Sequence, residues 1–296
     1  MAYYLPNAKK TEKMNLITKI TVLGAALLMT FSCKNYYDSL RKSTDVDYKY
    51  KGAFDFYNKG KFKKAADLFE ELILVSQGTP REDTVQFYTA LSNYKYGDYS
   101  TAESGFDKFV QVFPRSPFAE DAQYLRIICL YEGTFRYELD QVPTKKAIVV
   151  IREFMLENHE SPYYSLCQRY VDELSERLDK KSYEAAKLYY KMEDYKAANF
   201  SLKSILKENS NNIYREDILY YAALASYKFA QNSIPEKQKE RFLSFIDDYY
   251  NFVGEFPKST YKNELEELYN KVQKNLKKDK QSKNDTTNDN NGENGK

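Results

Sequence analysis

The chain has 296 residues, and its 45 Lys and Arg against 43 Asp and Glu give a formal net charge of only +2. This balance lacks the basic excess typical of nucleic-acid-binding proteins, so we expect no nucleic-acid partner. Aromatic residues make up 16% of the chain, whereas its 10 Gly and 8 Pro are too few for a turn-rich all-β fold.

The N-terminus has the pattern of an export signal. Several lysines precede an apolar run of about 12 residues, shorter than the roughly 20 that a membrane-spanning helix needs. The run ends in Thr30-Phe31-Ser32-Cys33, where a small residue directly precedes a cysteine, as in bacterial lipoprotein signals. Leu is usual where Thr30 stands. We predict a lipoprotein signal peptide over residues 1–32 and a covalent lipid, such as palmitate, on Cys33.

Two alternatives remain open for this segment: a signal without lipid in which Cys33 is incidental, or a buried hairpin. Met14 is a second candidate start, because 14–33 alone makes a compact signal. Lipidation would anchor the chain to a bilayer without a membrane-spanning helix, since several acyl chains bind stably where one binds only marginally. We expect no other cofactor and no metal, because one His and three Cys fit no metal-binding spacing.

A helical repeat follows a polar stretch, residues 33–47, which we interpret as a lipid-anchored tether. A small residue followed four positions later by Tyr recurs along the chain, and this spacing places both on one helix face. The pairs are Ala53/Tyr57, Ala90/Tyr94, Ala186/Tyr190 and Ala223/Tyr227. Ala53 and Ala90 are 37 residues apart, as are Ala186 and Ala223. In the second helices, alanines fall 12 residues after their partners, at Ala65, Ala102 and Ala198.

This spacing predicts an all-α tetratricopeptide-repeat superhelix of about five helix pairs, in which small residues let paired helices approach. The pairs are expected near 48–78, 83–113, 118–158, 163–209 and 214–256. The third carries an insertion over 133–143, and the fourth begins with a helix of about 28 residues. A capping helix over 261–277 closes the array of residues 48–277. The polar tail, 278–296, is predicted to be disordered.

The sequence offers little catalytic chemistry, and we predict that the protein is not an enzyme. His159, the single histidine, stands where other repeats carry a helix stop. Adjacent carboxylates, such as Asp247 and Asp248, point in different directions on a helix and are interpreted as solvated faces. Cys129 and Cys167 are interpreted as small buried hydrophobic residues rather than a disulfide.

A protein-binding groove is the better candidate site. In tetratricopeptide repeats the first helices line the concave side, and tyrosine offers apolar area with a polar tip. The residues at such positions are Tyr57, Phe87, Tyr94, Tyr190 and Tyr227. Packing between repeats, as part of the core, is an equal alternative for these residues.

The order of signal, tether, five helix pairs and third-repeat insertion resembles the BamD (YfiO) family, lipoproteins of the outer-membrane β-barrel assembly machinery. The stretches that carry the resemblance are Ala53–Ala65, which includes Gly60-Lys61-Phe62, then Leu91–Lys95, Gly97-Asp98-Tyr99, Phe109–Pro117 and Tyr124-Leu125-Arg126. Two features depart from the family pattern. The insertion is shorter than in well-known members, and the aromatic-proline stop of the first repeat is replaced by residues 75–80.

The resemblance implies a scaffold and client-binding subunit, lipid-anchored at the periplasmic face of the outer membrane, that acts in folding and insertion of outer-membrane proteins. It implies docking through C-terminal repeats on a BamA-like β-barrel subunit, and binding of unfolded clients through N-terminal repeats. The alternatives are another tetratricopeptide-repeat lipoprotein adaptor, for example one that coordinates cell-envelope synthesis, a starch-binding lipoprotein, or a lytic transglycosylase. The last two need more chain than this sequence provides.

Overall fold

A computed structural model describes residues 36–290 of the chain, with side chains to residue 277. The predicted signal over 1–32 and the lipid site at Cys33 lie outside the described residues. The described part is all-α, as predicted. Its helices are α1 (36–42), α2 (Val46–Asn58), α3 (Phe62–Ser76), α4 (Glu82–Tyr96), α5 (Tyr99–Val112), α6 (Ala119–Glu132), α7 (Val142–Glu157), α8 (Tyr164–Lys191), α9 (Tyr195–Glu208), α10 (Arg215–Gln231), α11 (Pro235–Glu255) and α12 (Lys262–Asn290).

The helices of the predicted pairs lie within two residues of the expected bounds, and short turns separate the two helices of every pair except the third, which carries the insertion. Gly97 ends α4 with a left-handed φ of 95°, which an L side chain adopts only with strain. Asp98 then caps α5 by accepting a hydrogen bond from the Thr101 amide. Asp194 caps α9 in the same way, through the Ala197 amide. Helix α8 has 28 residues, in agreement with the predicted length.

The chain divides into two compact units, Met1–Gly133 and Thr134–Lys296. The boundary falls in the insertion after α6, so the third predicted pair, α6 and α7, is divided between the units. In the first unit the paired alanines Ala53, Ala65, Ala90 and Ala102 are at most 1% exposed. Their counterparts Ala186, Ala198 and Ala223 are at most 3% exposed in the second unit. The spacing therefore identified the sites of close helix approach.

The stretch interpreted as a tether differs from the prediction, because residues 36–42 form helix α1 and α2 already begins at Val46. Leu40 of α1 is fully buried, and it packs where Gly52 of α2 leaves room. Tyr36 stacks on Phe56 with a centroid distance of 5.7 Å. The apolar residues of α1 share one face, which explains why this short helix docks on the first repeat.

The last helix also exceeds its predicted end at residue 277, since α12 continues to Asn290. No Gly or Pro interrupts residues 278–290. Extending an existing helix adds one hydrogen bond for each residue fixed, without a new nucleation cost. The first part of the predicted tail is therefore helical, and residues 291–296 lie outside the described part.

Candidate protein-binding surfaces

The predicted groove tyrosines take up a geometry that repeats between the two units. Half-buried Tyr57 lies 5.5 Å from Phe62 and 5.2 Å from Tyr88, measured between ring centroids, with both rings edge-on. Tyr190 lies 5.5 Å from Tyr195 and 5.3 Å from Tyr221 in the same arrangement. Each tyrosine thus contacts the first helix of the next pair, and sequence reasoning did not single out Tyr88 or Tyr221.

The two other predicted tyrosines are also half-buried. Tyr94 lies 5.8 Å from Tyr99, and the Lys95 ammonium lies 5.5 Å from the Tyr94 ring centroid. Tyr227 packs against α11, with its ring 5.4 Å from Phe245. All four tyrosines therefore combine packing inside a unit with a partly accessible edge. Their role in binding clients stays a prediction.

Phe87 is a core residue and does not belong to a groove. It is 5% exposed and stacks on Phe118 at 4.6 Å. The rings of Phe106 and Phe109 lie 6.0 and 5.6 Å away. A phenylalanine has no polar tip to keep in water, so burial among three other rings is its most favourable position. For Phe87, therefore, packing in the core is the correct interpretation, and a position in a binding groove is not.

Burial controls the electrostatics of these tyrosines. Desolvation raises the pKa of Tyr57 and of Tyr190 above the ordinary tyrosine value. Their hydroxyl groups are therefore neutral at any physiological pH, and can donate or accept a hydrogen bond. Such groups suit recognition of apolar, extended segments, because the ring supplies contact area and the hydroxyl supplies a polar contact.

A buried polar cluster in the second unit was missed by the sequence analysis. Asp248 is 5% exposed, whereas its neighbour Asp247 is exposed. The Asp248 carboxylate accepts hydrogen bonds from Asn199 Nδ2 at 3.1 Å and from Ser226 Oγ, and Lys203 Nζ lies 2.6 Å from it. These contacts join α9, α10 and α11. The interpretation of Asp248 as a solvated surface residue is therefore wrong.

The remaining candidate residues are the possible metal ligands, the two cysteines of the repeats and the single histidine in the described part of the chain. No group of three or more His, Cys, Asp or Glu side chains there could hold a metal ion. Cys129 and Cys167 are free and buried, as predicted, and burial raises their thiol pKa values to about 12 and about 11. His159 lies in the turn after α7, also as predicted. Within residues 36–290, no helix is long and apolar enough to cross a membrane.

Successive helix pairs with buried alanines at the helix contacts define an all-α helical-repeat protein. The YfiO family, described as outer membrane lipoprotein, matches residues 43–207, which is more than half of the chain. The chain therefore belongs to this family, and the resemblance found in the sequence is confirmed.

The chain is also similar to individual proteins of known identity. It is 22% identical over 210 residues to the outer membrane protein assembly factor BamD of Caulobacter vibrioides, covering 71% of this chain and 67% of that protein. Among solved structures, a thermophilic TPR protein of Thermus thermophilus matches with a TM-score of 0.29 and 14% identity. That match covers 77% of this chain and 98% of the other.

Proposed function

We propose that this protein is a lipid-anchored, non-catalytic subunit of the outer-membrane β-barrel assembly machinery, acting in folding and insertion of outer-membrane proteins. The observation that carries the proposal is membership in the YfiO lipoprotein family over residues 43–207. The similarity to an outer membrane protein assembly factor supports it further.

The two-unit organisation supports a scaffold role. Each unit has a core of its own, one around Phe56 and Phe69 and the other around Phe245 and Phe252. Surfaces on the two units can therefore hold two different proteins at once. We assign unfolded clients to the N-terminal unit, where Tyr57 and Tyr94 present half-buried rings.

A BamA-like β-barrel subunit is assigned to the C-terminal repeats. On α11, Leu243 and Tyr250 are 48% and 53% exposed. They lie seven residues apart and hence on one helix face. Exposed large apolar side chains on one face suit a protein interface better than contact with water. This face is our candidate for docking on the periplasmic domains of the barrel subunit.

The lipid on Cys33 would hold the protein at the periplasmic face of the outer membrane. Only two residues separate Cys33 from Tyr36, at which helix α1 is already formed. An extended chain spans at most about 3.3–3.6 Å per residue, so a lipid attached at position 33 would be joined to α1 by no more than about 11 Å of chain. The first unit would therefore be kept close to the bilayer, within reach of proteins entering it.

Affinity purification from detergent-solubilised membranes tests this proposal. We expect the full chain to recover a large β-barrel protein with periplasmic repeats, and Leu243→Lys with Tyr250→Lys to lose it while keeping the native helicity. The melting temperature should fall only slightly, through loss of the 2.7 Å contact between the Tyr250 and Tyr269 hydroxyls. A matched variant is Glu236→Lys, which adds positive charge at an exposed position of the same helix. Recovery of peptidoglycan enzymes without any β-barrel protein would contradict the proposal and favour the envelope-synthesis adaptor.

A further inference from the structure

The insertion after α6 is held by two cations of α8. Arg177 Nη1 donates to Thr134 Oγ1 at 2.6 Å and to the Phe135 carbonyl at 3.0 Å. Lys181 Nζ donates to three consecutive carbonyls, those of Tyr137, Glu138 and Leu139, at 3.2, 3.4 and 2.6 Å. Satisfying main-chain carbonyls in this way fixes the path of a loop that has no secondary structure of its own.

A third residue of α8, Asp179, holds the loop after α9. Its carboxylate accepts from Asn209 Nδ2 at 2.8 Å and from the Ile213 amide at 3.1 Å. Asp179 lies between Arg177 and Lys181 in the sequence, so one short stretch of α8 fixes both loops. The two loops are therefore ordered before any partner binds, and this lowers the entropic cost of binding.

A cavity of about 570 Å³ lies beside this stretch, and we name it the insertion pocket. Its walls include the apolar residues Leu178, Ala185 and Ile205, and Val142 lies at its edge. Val142 is 68% exposed, and on the two fixed loops Leu139 and Ile213 are 47% and 56% exposed. The volume falls within the range of about 300–1,000 Å³ typical of ligand pockets.

One polar group of the insertion pocket is left without a partner. Asn212 lines the cavity and is 3% exposed. Its Oδ1 accepts from the Tyr214 amide at 2.9 Å, whereas its buried Nδ2 has no acceptor among the described residues. A buried donor without an acceptor is unfavourable, so a ligand that supplies one gains binding energy.

The charges around the pocket indicate the type of acceptor. The lining contains Asp140, Asp179 and Glu208 against Lys145 and Lys181. Asp179 and Lys181 already bind the loops. The charges that remain are those of Asp140, Glu208 and Lys145, and their sum is negative. A carboxylate ligand would be repelled, whereas a neutral main-chain carbonyl with a nearby basic side chain would be attracted.

We propose that the insertion pocket binds an extended segment of a partner protein. An apolar side chain of the segment packs against Leu178 and Ile205, its neighbouring main-chain carbonyl accepts from Asn212 Nδ2, and a Lys or Arg pairs with Glu208. This binding mode goes beyond the assembly role, because a segment of any envelope protein with this chemistry would fit.

Photo-crosslinking in the native membrane tests the pocket. The full chain would carry benzoylphenylalanine at Val142 or at Lys145, two exposed residues that line the pocket, and mass spectrometry would map the attached peptides. We expect both positions to label one and the same segment, with an apolar residue next to Lys or Arg. Phe200, which is 71% exposed and does not line the pocket, is the control position. Labelling no stronger than at Phe200, or labelling of a second copy of this chain, would overturn the proposal.

Two substitutions test the assigned contacts. Asn212→Asp keeps the oxygen that accepts from the Tyr214 amide but removes the donor, and Glu208→Lys reverses the charge offered to the basic residue. For a synthetic peptide of the mapped segment, we expect at least tenfold weaker binding by fluorescence polarisation for each variant, with unchanged helicity. Wild-type affinity in both variants would rule out this mode of binding. Neither readout depends on β-barrel assembly, so failure here is distinguishable from failure of the proposed function.

Discussion

The ring of Tyr57 contacts the ring of Tyr88 edge-on at 5.2 Å, across the boundary between the first and second repeats. Tyr190 and Tyr221 reproduce this contact at 5.3 Å in the second unit. An aromatic pair in this geometry contributes about 0.5–1.5 kcal/mol beyond the area it buries. The predicted groove tyrosines thus have a packing role, whatever they bind.

Substitution of Tyr57 separates packing from recognition. Tyr57→Phe keeps the ring contacts, so we expect an unchanged melting temperature, whereas Tyr57→Ala should lower it. If the Tyr57 hydroxyl contacts clients, both variants should bind an unfolded outer-membrane barrel protein more weakly in a pull-down. Wild-type binding by Tyr57→Phe, together with weakened binding by Tyr57→Ala, would restrict the residue to packing and apolar contact.

Two helical glycines provide a matched test of close helix approach. A Cβ at Gly105 of α5 would lie 2.9 Å from the Ala90 Cβ, whereas one at Gly254 of α11 would meet nothing within 4 Å. Gly105→Ala should therefore destabilise the first unit by about 1–3 kcal/mol, as overpacked cores do. Gly254→Ala should stabilise the protein by about 0.5–1 kcal/mol through helix propensity. Urea unfolding measures both, and equal effects would disprove the close contact.

The adjacent residues Asp247 and Asp248 should respond very differently to substitution. Asp248→Ala leaves Asn199, Ser226 and Lys203 without their shared acceptor, so we expect a loss of about 3–5 kcal/mol in the free energy of unfolding. Asp247→Ala, on the exposed side, should change it by less than about 0.5 kcal/mol. Similar losses for both variants would show that the polar cluster does not stabilise the second unit.

The buried cysteines should be inert in the folded protein. Burial raises the pKa of Cys129 to about 12 and that of Cys167 to about 11, so little of the reactive thiolate forms near neutral pH. We expect iodoacetamide to modify neither residue at pH 8 in the native state, and to modify both in urea. Mass spectrometry of digested protein counts the labels, and rapid labelling without urea would show that the thiols are accessible.

Two tyrosines with raised pKa values should make stability fall at alkaline pH. Burial raises the pKa of Tyr183 to about 12, and partial burial together with a hydrogen bond to Asp67 raises that of Tyr37 from 10.0 to about 12. The folded state favours their neutral form, so this contribution is complete below pH 10 and is lost as the pH rises towards 12. The free energy of unfolding should decrease across that window. Tyrosinate absorbance of the native protein should lag behind that of the urea-unfolded chain, and coincident titrations would contradict this.

Local periodicity explains what the sequence could predict. The spacing of Ala53, Ala90, Ala186 and Ala223 reports helix packing directly, because residues four apart share a face. The same logic could have found Asp248, which lies three residues after Phe245 and four before Phe252 on the buried face of α11. Two adjacent carboxylates look alike in a charge pattern, although neighbouring residues of a helix face different directions.

Contacts between residues that are far apart in the sequence could not be predicted from the sequence alone. Leu40 is buried because Gly52, on another helix, leaves room for it. Arg177 and Lys181 form hydrogen bonds with insertion residues that lie 42 to 44 positions away in the sequence. No local sequence pattern indicates such pairs. The unpaired Nδ2 of Asn212 can be recognised only when the surrounding helices are in place.

Depletion of this protein in living cells tests its proposed role most directly. The amounts of several outer-membrane β-barrel proteins, relative to outer-membrane lipoproteins without a barrel, would be measured by quantitative mass spectrometry of purified outer membranes. We predict that the β-barrel proteins fall together during depletion, that the other lipoproteins persist, and that the wild-type gene restores the β-barrels whereas Cys33→Ala does not. Unchanged β-barrel levels after complete depletion would contradict an assembly function.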